Sequence, residues 1–163
     1  MFIIRPICEA DASAVTDIYR PLVEGTTVSF ELVPPTKAEM LGRIKRTTTC
    51  YPWLVAISSD VVVGYAYASR HRERAGYSSS VDVSIYLRRD VRGQGIGTAL
   101  YSSLLGELGR RGFHRAFAGI ALPNDASIAL HRKFGFDLIG VYREVGRKFD
   151  AWIDVAWWQR ALD

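Results

Sequence analysis

Residues 80–109 read SVDVSIYLRRDVRGQGIGTALYSSLLGELG. This stretch constrains the fold more than any other part of the chain. Val81, Val83, Ile85 and Leu87 alternate with Asp82, Ser84 and Tyr86, the pattern of a half-buried strand. Leu100, Leu104, Leu105 and Leu108 recur at helical spacing. Between them lie Gly93, Gly95 and Gly97, where a helix must begin. The first N–H groups of a helix lack intrahelical partners, and the dipole there favours negative charge. Without Cβ atoms the backbone can approach a phosphate closely. A strand, a glycine turn and a helix in this order therefore point to an anion at the helix start. Spacing narrows the choice. A P-loop needs Lys-Ser or Lys-Thr after its last glycine, and none follows. A dinucleotide GxGxxG counted from Gly93 needs a third glycine where Thr98 stands.

The rest of the chain supplies the scaffold. FIIRPI opens as a strand, and Asp11 is placed to cap a helix carrying Val15, Ile18, Tyr19 and Leu22 on one stripe. GTTVSFELVPP reads as a loop or short helix. Thr36 and Glu39 form a capping box before Met40, Leu41 and Ile44. WLVAI and VVVGYAYA flank Ser58-Ser59-Asp60 as a hairpin. HRAFAGIAL is a further strand, NDASIALHRKF a short helix with Gly135 as its left-handed stop, and the C-terminal segment two strands joined by a Gly-containing loop. An early hairpin with later strand–helix–strand units makes a mixed-sheet α/β fold in a single domain spanning 1–163.

Composition closes off several classes. The chain has 163 residues, and no apolar run approaches the ~20 of a membrane span. The first residues lack a basic segment followed by a long apolar one, so no signal peptide is expected. Cys8 and Cys50 stand far apart, and no metal-ligand pattern accompanies them; buried free thiols in a reducing compartment are expected. The net charge of +4 invites an anionic partner. No nucleic-acid motif accompanies the arginines, so a small anion is preferred to a nucleic acid.

The turn Arg92-Gly93-Gln94-Gly95-Ile96-Gly97 after SVDVSIYLRRD resembles the coenzyme A pyrophosphate loop of the GNAT N-acetyltransferase family. A second block, Asn124 to Phe136 (NDASIALHRKFGF), stands at the distance that family shows. YPWLVA, LPNDASIALH and WIDVAWWQR extend the resemblance to the phosphinothricin and methionine sulfoximine acetyltransferase subfamily over nearly the whole chain. The resemblance implies a GNAT fold, with a central mixed sheet splayed at the acetyl-CoA site and helices flanking it. It also implies a cytoplasmic, homodimeric enzyme that moves an acetyl group from acetyl-CoA to the amine of a small amino-acid-like acceptor, with no metal, nucleic acid or membrane partner.

Carried over residue by residue, the amides of Arg92, Gly93, Gln94, Gly95, Ile96, Gly97 and Thr98 would bind the pyrophosphate. Ile85, Tyr86 and Leu87 would meet the pantetheine arm, with the Tyr86 or Leu87 amide also serving as oxyanion donor. Arg88 and Arg89 either attract phosphates or are solvated. Asn124 would cap its helix, contact pantetheine, or both; Ser127 shares its face, and Lys133 would meet a phosphate or solvent. Asp82 is the candidate general base, directly or through a water; a satisfied salt bridge or an anchor for the substrate ammonium is the alternative. His131 stands where many members have a tyrosine, as acid or base or as a packing residue.

For the acceptor, Arg72, Arg74 and Tyr77 match the family's substrate loop, since the arginine fork suits a carboxylate or phosphinate. Phe30 is expected over the acceptor and Lys148 in the pocket wall. Two positions depart from the family pattern: relatives usually carry glutamate at 82 and often tryptophan at 71, where this chain has Asp82 and His71. Trp152, Trp157 and Trp158 are expected in the core or a dimer surface. The rival readings are acetylation of protein N-termini or polyamines, and a non-catalytic acetyl-CoA sensor.

Overall fold

The computed structural model describes residues 1–162. Seven strands form one sheet: β1 (Phe2–Pro6), β2 (Trp53–Ser58), β3 (Val61–Arg70), β4 (Ser80–Leu87), β5 (Arg115–Ala121), β6 (Asp137–Lys148) and β7 (Ala151–Ala161). Their order is β1-β2-β3-β4-β5-β7-β6, and every neighbour pair is antiparallel except β4 with β5. Four helices flank the sheet: α1 (Ala12–Gly25), α2 (Lys37–Thr48), α3 (Ile96–Arg110) and α4 (Asp125–Lys133).

Period-2 alternation divides the core into two layers. Trp53, Val55 and Tyr65 face α1 and α2, against Val15, Ile18, Val23, Met40 and Ile44. Leu54, Ala56, Val81 and Val83 face the other way, against Leu100, Leu104 and Leu108 of α3. Those three leucines are fully buried. Each contributes roughly 1.5–3 kcal/mol of apolar burial. The Thr36–Glu39 capping box is present: Thr36 Oγ1 accepts from Glu39 N at 3.2 Å and Glu39 Oε2 from Thr36 N at 2.6 Å. The Ser59–Asp60 hairpin is present too, with both residues at positive φ (48° and 60°).

The parallel β4–β5 ladder is short. It pairs Ser80 with Arg115, Val81 with Ala116 and Asp82 with Phe117, then stops. β4 continues along β3 to Leu87, and β5 along β7 to Ala121. The two strands therefore splay beyond Asp82, and the β5-facing amides of the second half of β4 have no strand partner.

Three local expectations need correction. Asp11 does not cap α1 with its side chain. Its carboxylate is held by Arg5 (2.7 and 2.9 Å) and by the Cys8 N–H (2.8 Å), which ties β1 to the helix start. After Gly25, which ends α1, GTTVSFELVPP is a loop, one of the two forms its sequence left open. β6 and β7 turn at Phe149 and Asp150, both at positive φ, so Gly146 lies inside β6 rather than in a loop. Cys8 and Cys50 are exposed free thiols, not buried ones, since both fall outside the packed faces of the helices and strands.

Candidate active site

The glycine turn follows a short 3-10 turn, Arg89–Val91, pinned by the buried Val91. Gly93 and Gly95 adopt φ of 79° and 80°, left-handed conformations that favour glycine. A Cβ at either position would meet no protein atom within 4 Å. The glycines are there for backbone shape and leave open space in front of the amides. Gly97 differs: its Cβ would stand 3.2 Å from Leu87 Cδ1, so it lets α3 pack against the end of β4. The first intrahelical bond of α3 runs from Ala99 N to Gly95 O (3.0 Å), which leaves the Ile96, Gly97 and Thr98 amides without helical acceptors. The Ile96 side chain is buried, so only its backbone faces the turn.

Charge near the turn is unevenly free. Lys133 Nζ stands 3.4 Å from Thr98 Oγ1, bringing an ammonium from the end of α4 to the start of α3. Arg88 is bound to Asp90 through two hydrogen bonds (3.0 and 2.5 Å), while Arg89 and Arg92 are exposed. Gln94 folds back, donating to Asp90 O at 3.2 Å. The Arg92 N–H turns back to Arg89 O (3.5 Å), so it is not part of the cradle expected over 92–98; the unpaired amides that follow it, with flanking cations, fit a pyrophosphate.

The splay between β4 and β5 opens a notch bordered by Ser84, Ile85, Tyr86, Gly119, Asn124 and His131. Asn124 Oδ1 accepts from Ser127 N (3.2 Å), capping α4 while its residue also borders the notch. The Tyr86 ring packs with Tyr19 (5.2 Å) and Tyr65 (5.3 Å) on the α1 side, so its backbone is what it offers to the notch. His131 is buried with both ring nitrogens engaged. Nδ1 lies 2.7 Å from the Ser127 carbonyl, which can only accept, so Nδ1 carries the hydrogen. Nε2 then accepts from the Tyr101 hydroxyl at 2.6 Å. Burial pushes the His131 pKa below its ordinary value, against a smaller upward pull from the Ser127 backbone. His131 stands as a neutral wall of the notch rather than a group with a free nitrogen.

Beside the notch is a cleft of about 430 Å³. Phe30, Asp82, Ser84, Tyr142, Val145 and Trp157 are among its walls, and it shares Val83, Ser84, Gly119 and Ala121 with the notch. Phe30 lies over Gly146, where a Cβ would meet the ring at 2.5 Å. Asp82 Oδ1 is 2.6 Å from His71 Nδ1. The His71 ring stacks on Phe117, with centroids 4.2 Å apart and planes 16° apart. Burial raises the Asp82 pKa above the ordinary carboxylate value; His71 and the more distant Arg72 pull it back down.

Four expected acceptor residues, Lys148, Arg72, Arg74 and Tyr77, fall outside the cleft lining. Lys148 does not line the cleft. Its buried Nζ donates to Val23 O (2.6 Å) and Ser29 O (2.8 Å), anchoring the segment that carries Val28 and Phe30. Arg72 donates to its neighbour His71 O (2.8 Å) and, like Arg74, is exposed outside the cleft lining. Tyr77 is partly exposed, its ring centroid 6.0 Å from that of His71.

Tyr142, Val145, Trp157 and His71 border or support the site without having been expected there. The sequence places Trp157 in the core or a dimer surface, yet it borders the cleft; Trp158 is buried. Adjacent strand residues face opposite sides, so Trp157 and Trp158 could not share one environment. Gly119 is the matching signal, since a Cβ there would stand 3.1 Å from the Trp157 ring.

The sequence model of the acetyltransferase (GNAT) domain matches residues 4–157. A phosphinothricin N-acetyltransferase of Streptomyces coelicolor is 39% identical over 98% of this chain and 95% of its own length. An L-methionine sulfoximine/L-methionine sulfone acetyltransferase of Pseudomonas paraeruginosa is 35% identical over 98% of this chain and 94% of its own. Among solved structures, a GNAT phosphinothricin acetyltransferase from Sinorhizobium meliloti in complex with acetyl-CoA superposes with a TM-score of 0.95 at 41% identity, covering 98% of this chain and 88% of that one. With its amide cradle, splayed strands and full-length relatives, the chain belongs to the GNAT acetyltransferase family.

Proposed function

We propose that this enzyme acetylates the amine of a small amino-acid-like acceptor, of the phosphinothricin, methionine sulfoximine or methionine sulfone type, by direct transfer. The observation that carries the reading is the meeting of cradle, notch and cleft. An anion-binding helix start leads along β4 to Ser84, and the cleft holding Asp82 begins at that same residue.

Acetyl-CoA supplies the acetyl group as an activated thioester. The amides of residues 93–98 hold the pyrophosphate, with Lys133 adding charge. The unpartnered half of β4 binds the pantetheine arm, and the Tyr86 or Leu87 amide donates to the thioester carbonyl oxygen. Asp82 takes a proton from the acceptor ammonium, directly or through a water; the freed amine attacks the thioester carbon, the C–S bond breaks, and coenzyme A leaves as a thiolate that takes up the second nitrogen proton. Its partial burial favours this role, because a carboxylate that binds protons more readily is a better base. Phe30 and Trp157 provide the apolar walls, and Arg72 and Arg74 draw in the acceptor's acidic group from the cleft's surroundings. Neither Cys8 nor Cys50 borders the cleft, which agrees with transfer that forms no acyl-enzyme.

None of the described helices is long and apolar enough to cross a membrane. The resemblance to the subfamily supports a cytoplasmic homodimer.

The test is turnover of acetyl-CoA against amino acids, methionine sulfoximine, methionine sulfone, phosphinothricin, polyamines and peptides. Turnover concentrated on the amino-acid analogues supports the reading. Preference for peptides or polyamines, or no turnover with any amine, overturns it.

A further inference from the structure

We propose that His71 is the positioning residue for Asp82, fixing one carboxylate oxygen so that the other faces the acceptor amine. The inference rests on reading Asp82 as the base and extends it to a second side chain.

The geometry is specific. An ionised carboxylate only accepts hydrogen bonds, so the 2.6 Å contact requires the proton on His71 Nδ1. Among the described residues, His71 is the sole hydrogen-bond partner of the Asp82 side chain; Oδ2 makes no hydrogen bond, and Asp82 lines the cleft. The imidazole is itself held. Its face lies flat on Phe117 of β5, and the Tyr77 ring stands edge-on at 6.0 Å. Phe117 pairs with Asp82 at the last step of the parallel ladder, so the platform sits where the strands begin to part. The His71 side chain is only 12% exposed, against 27% for Asp82. The order from platform to cleft is therefore Phe117, His71, Asp82, acceptor.

The ionisable groups around the pair are few. Arg72 follows His71 in the chain, Tyr67 approaches from β3 and Tyr77 from the loop before β4. The contact from β5 is the uncharged Phe117. His71 thus carries the donor that favours the ionised form of Asp82 against burial. Removing it leaves burial opposed only by the more distant Arg72, and protonated Asp82 then persists to higher pH. The acid limb of the rate profile must move upward.

The experiment compares kcat and KM across pH for the wild type and for His71→Phe, His71→Gln, Asp82→Ala and the His71→Phe/Asp82→Ala double variant. Phenylalanine keeps the stack on Phe117 but cannot donate; glutamine keeps a donor. For His71→Phe, kcat should fall roughly tenfold, short of the ~10²–10⁴ expected for losing a base. Its acid limb should rise by about one pH unit, with acceptor KM changed less than kcat. Glutamine should restore part of both effects. In the Asp82→Ala background, His71→Phe should change nothing further. A limb that stays in place in His71→Phe, with Asp82→Ala strongly impaired, overturns the proposal and spares Asp82 as base. Near-normal activity of Asp82→Ala overturns both. Should His71→Phe fold poorly by circular dichroism, the glutamine limb decides: a wild-type position supports the proposal only if His71→Ala, measured beside it, is shifted.

Discussion

At the scale of single residues, the site turns on what burial does to ionisable groups. Asp82 was legible as a carboxylate on an otherwise apolar strand, where charge is costly, and His131 by the family resemblance and the helical face it shares with Asn124 and Ser127. Their roles were not legible, since a role depends on partners distant in sequence. Asp82 meets His71 across the start of β4, and His131 meets Tyr101 from α3. The two positions that depart from the family pattern, 71 and 82, are hydrogen-bonded to each other. Asp82→Ala should lower kcat/KM by roughly 10²–10⁴ near neutral pH; a loss under about fivefold would remove it as base. His131 yields a stability prediction. Its folded pKa lies below that of an unfolded histidine, about 6.5. Below that pH the unfolded chain binds a proton that the folded chain refuses, so stability is complete above about pH 6.5 and declines as pH falls. Denaturant unfolding between pH 7 and 5 should show this slope, and His131→Gln should flatten it. An equal slope in the variant would mean that His131 titrates as freely folded as unfolded.

At the scale of elements, the glycine turn was readable because its amides are local: strand, turn and helix follow one another in the chain. What spacing could not reveal is that its glycines do different work. Gly95 needs a left-handed backbone and faces open space, whereas Gly97 lets α3 close on Leu87. Gly95→Val should therefore weaken acetyl-CoA binding by at least tenfold in calorimetry, at a folding cost of roughly 1–2 kcal/mol for a side chain at positive φ. Gly97→Ala should cost stability by displacing the Leu87 side chain, with a smaller effect on affinity. Equal affinities for wild type and Gly95→Val would remove the turn as the phosphate cradle. The acceptor loop was harder to read. GTTVSFELVPP has no periodicity, and its order comes from distant anchors: Lys148 on the Ser29 carbonyl and on Val23 O near the end of α1, and Glu31 held by Tyr19 and by Arg43 (2.9 and 2.5 Å). Lys148→Met leaves two carbonyls without their donor and should cost about 1–3 kcal/mol. Because that segment carries Phe30, acceptor KM should rise more than acetyl-CoA KM.

At the scale of the whole molecule, the element order and mixed sheet followed from alternating and helical periodicities, while the sheet's outer edge did not. β6 was read as an ordinary strand, yet it is the last strand of the sheet and twelve residues long. Leu138, Ile139, Tyr142, Val145, Phe149 and Trp152, on β6, the turn and the start of β7, are each more than half exposed. A long edge strand with unpaired backbone groups and an apolar surface invites pairing unless it is covered. A second copy of the same chain is the occupant that the subfamily resemblance implies, and a two-fold arrangement would present the same surface from both sides. Tyr142 and Val145 belong both to this surface and to the cleft wall, so association and acceptor binding should be linked. Sedimentation equilibrium at micromolar concentrations should give a dimer for the wild type and a monomer for Leu138→Glu/Trp152→Glu, two positions outside the cleft lining. In the monomeric variant, acceptor KM should rise while acetyl-CoA affinity holds, because the cradle lies at the opposite end of β4 from the Asp82 cleft. A wild type that sediments as a monomer would remove the dimer. A dimer whose dissociation leaves acceptor KM unchanged would show that the cleft wall is complete within one chain.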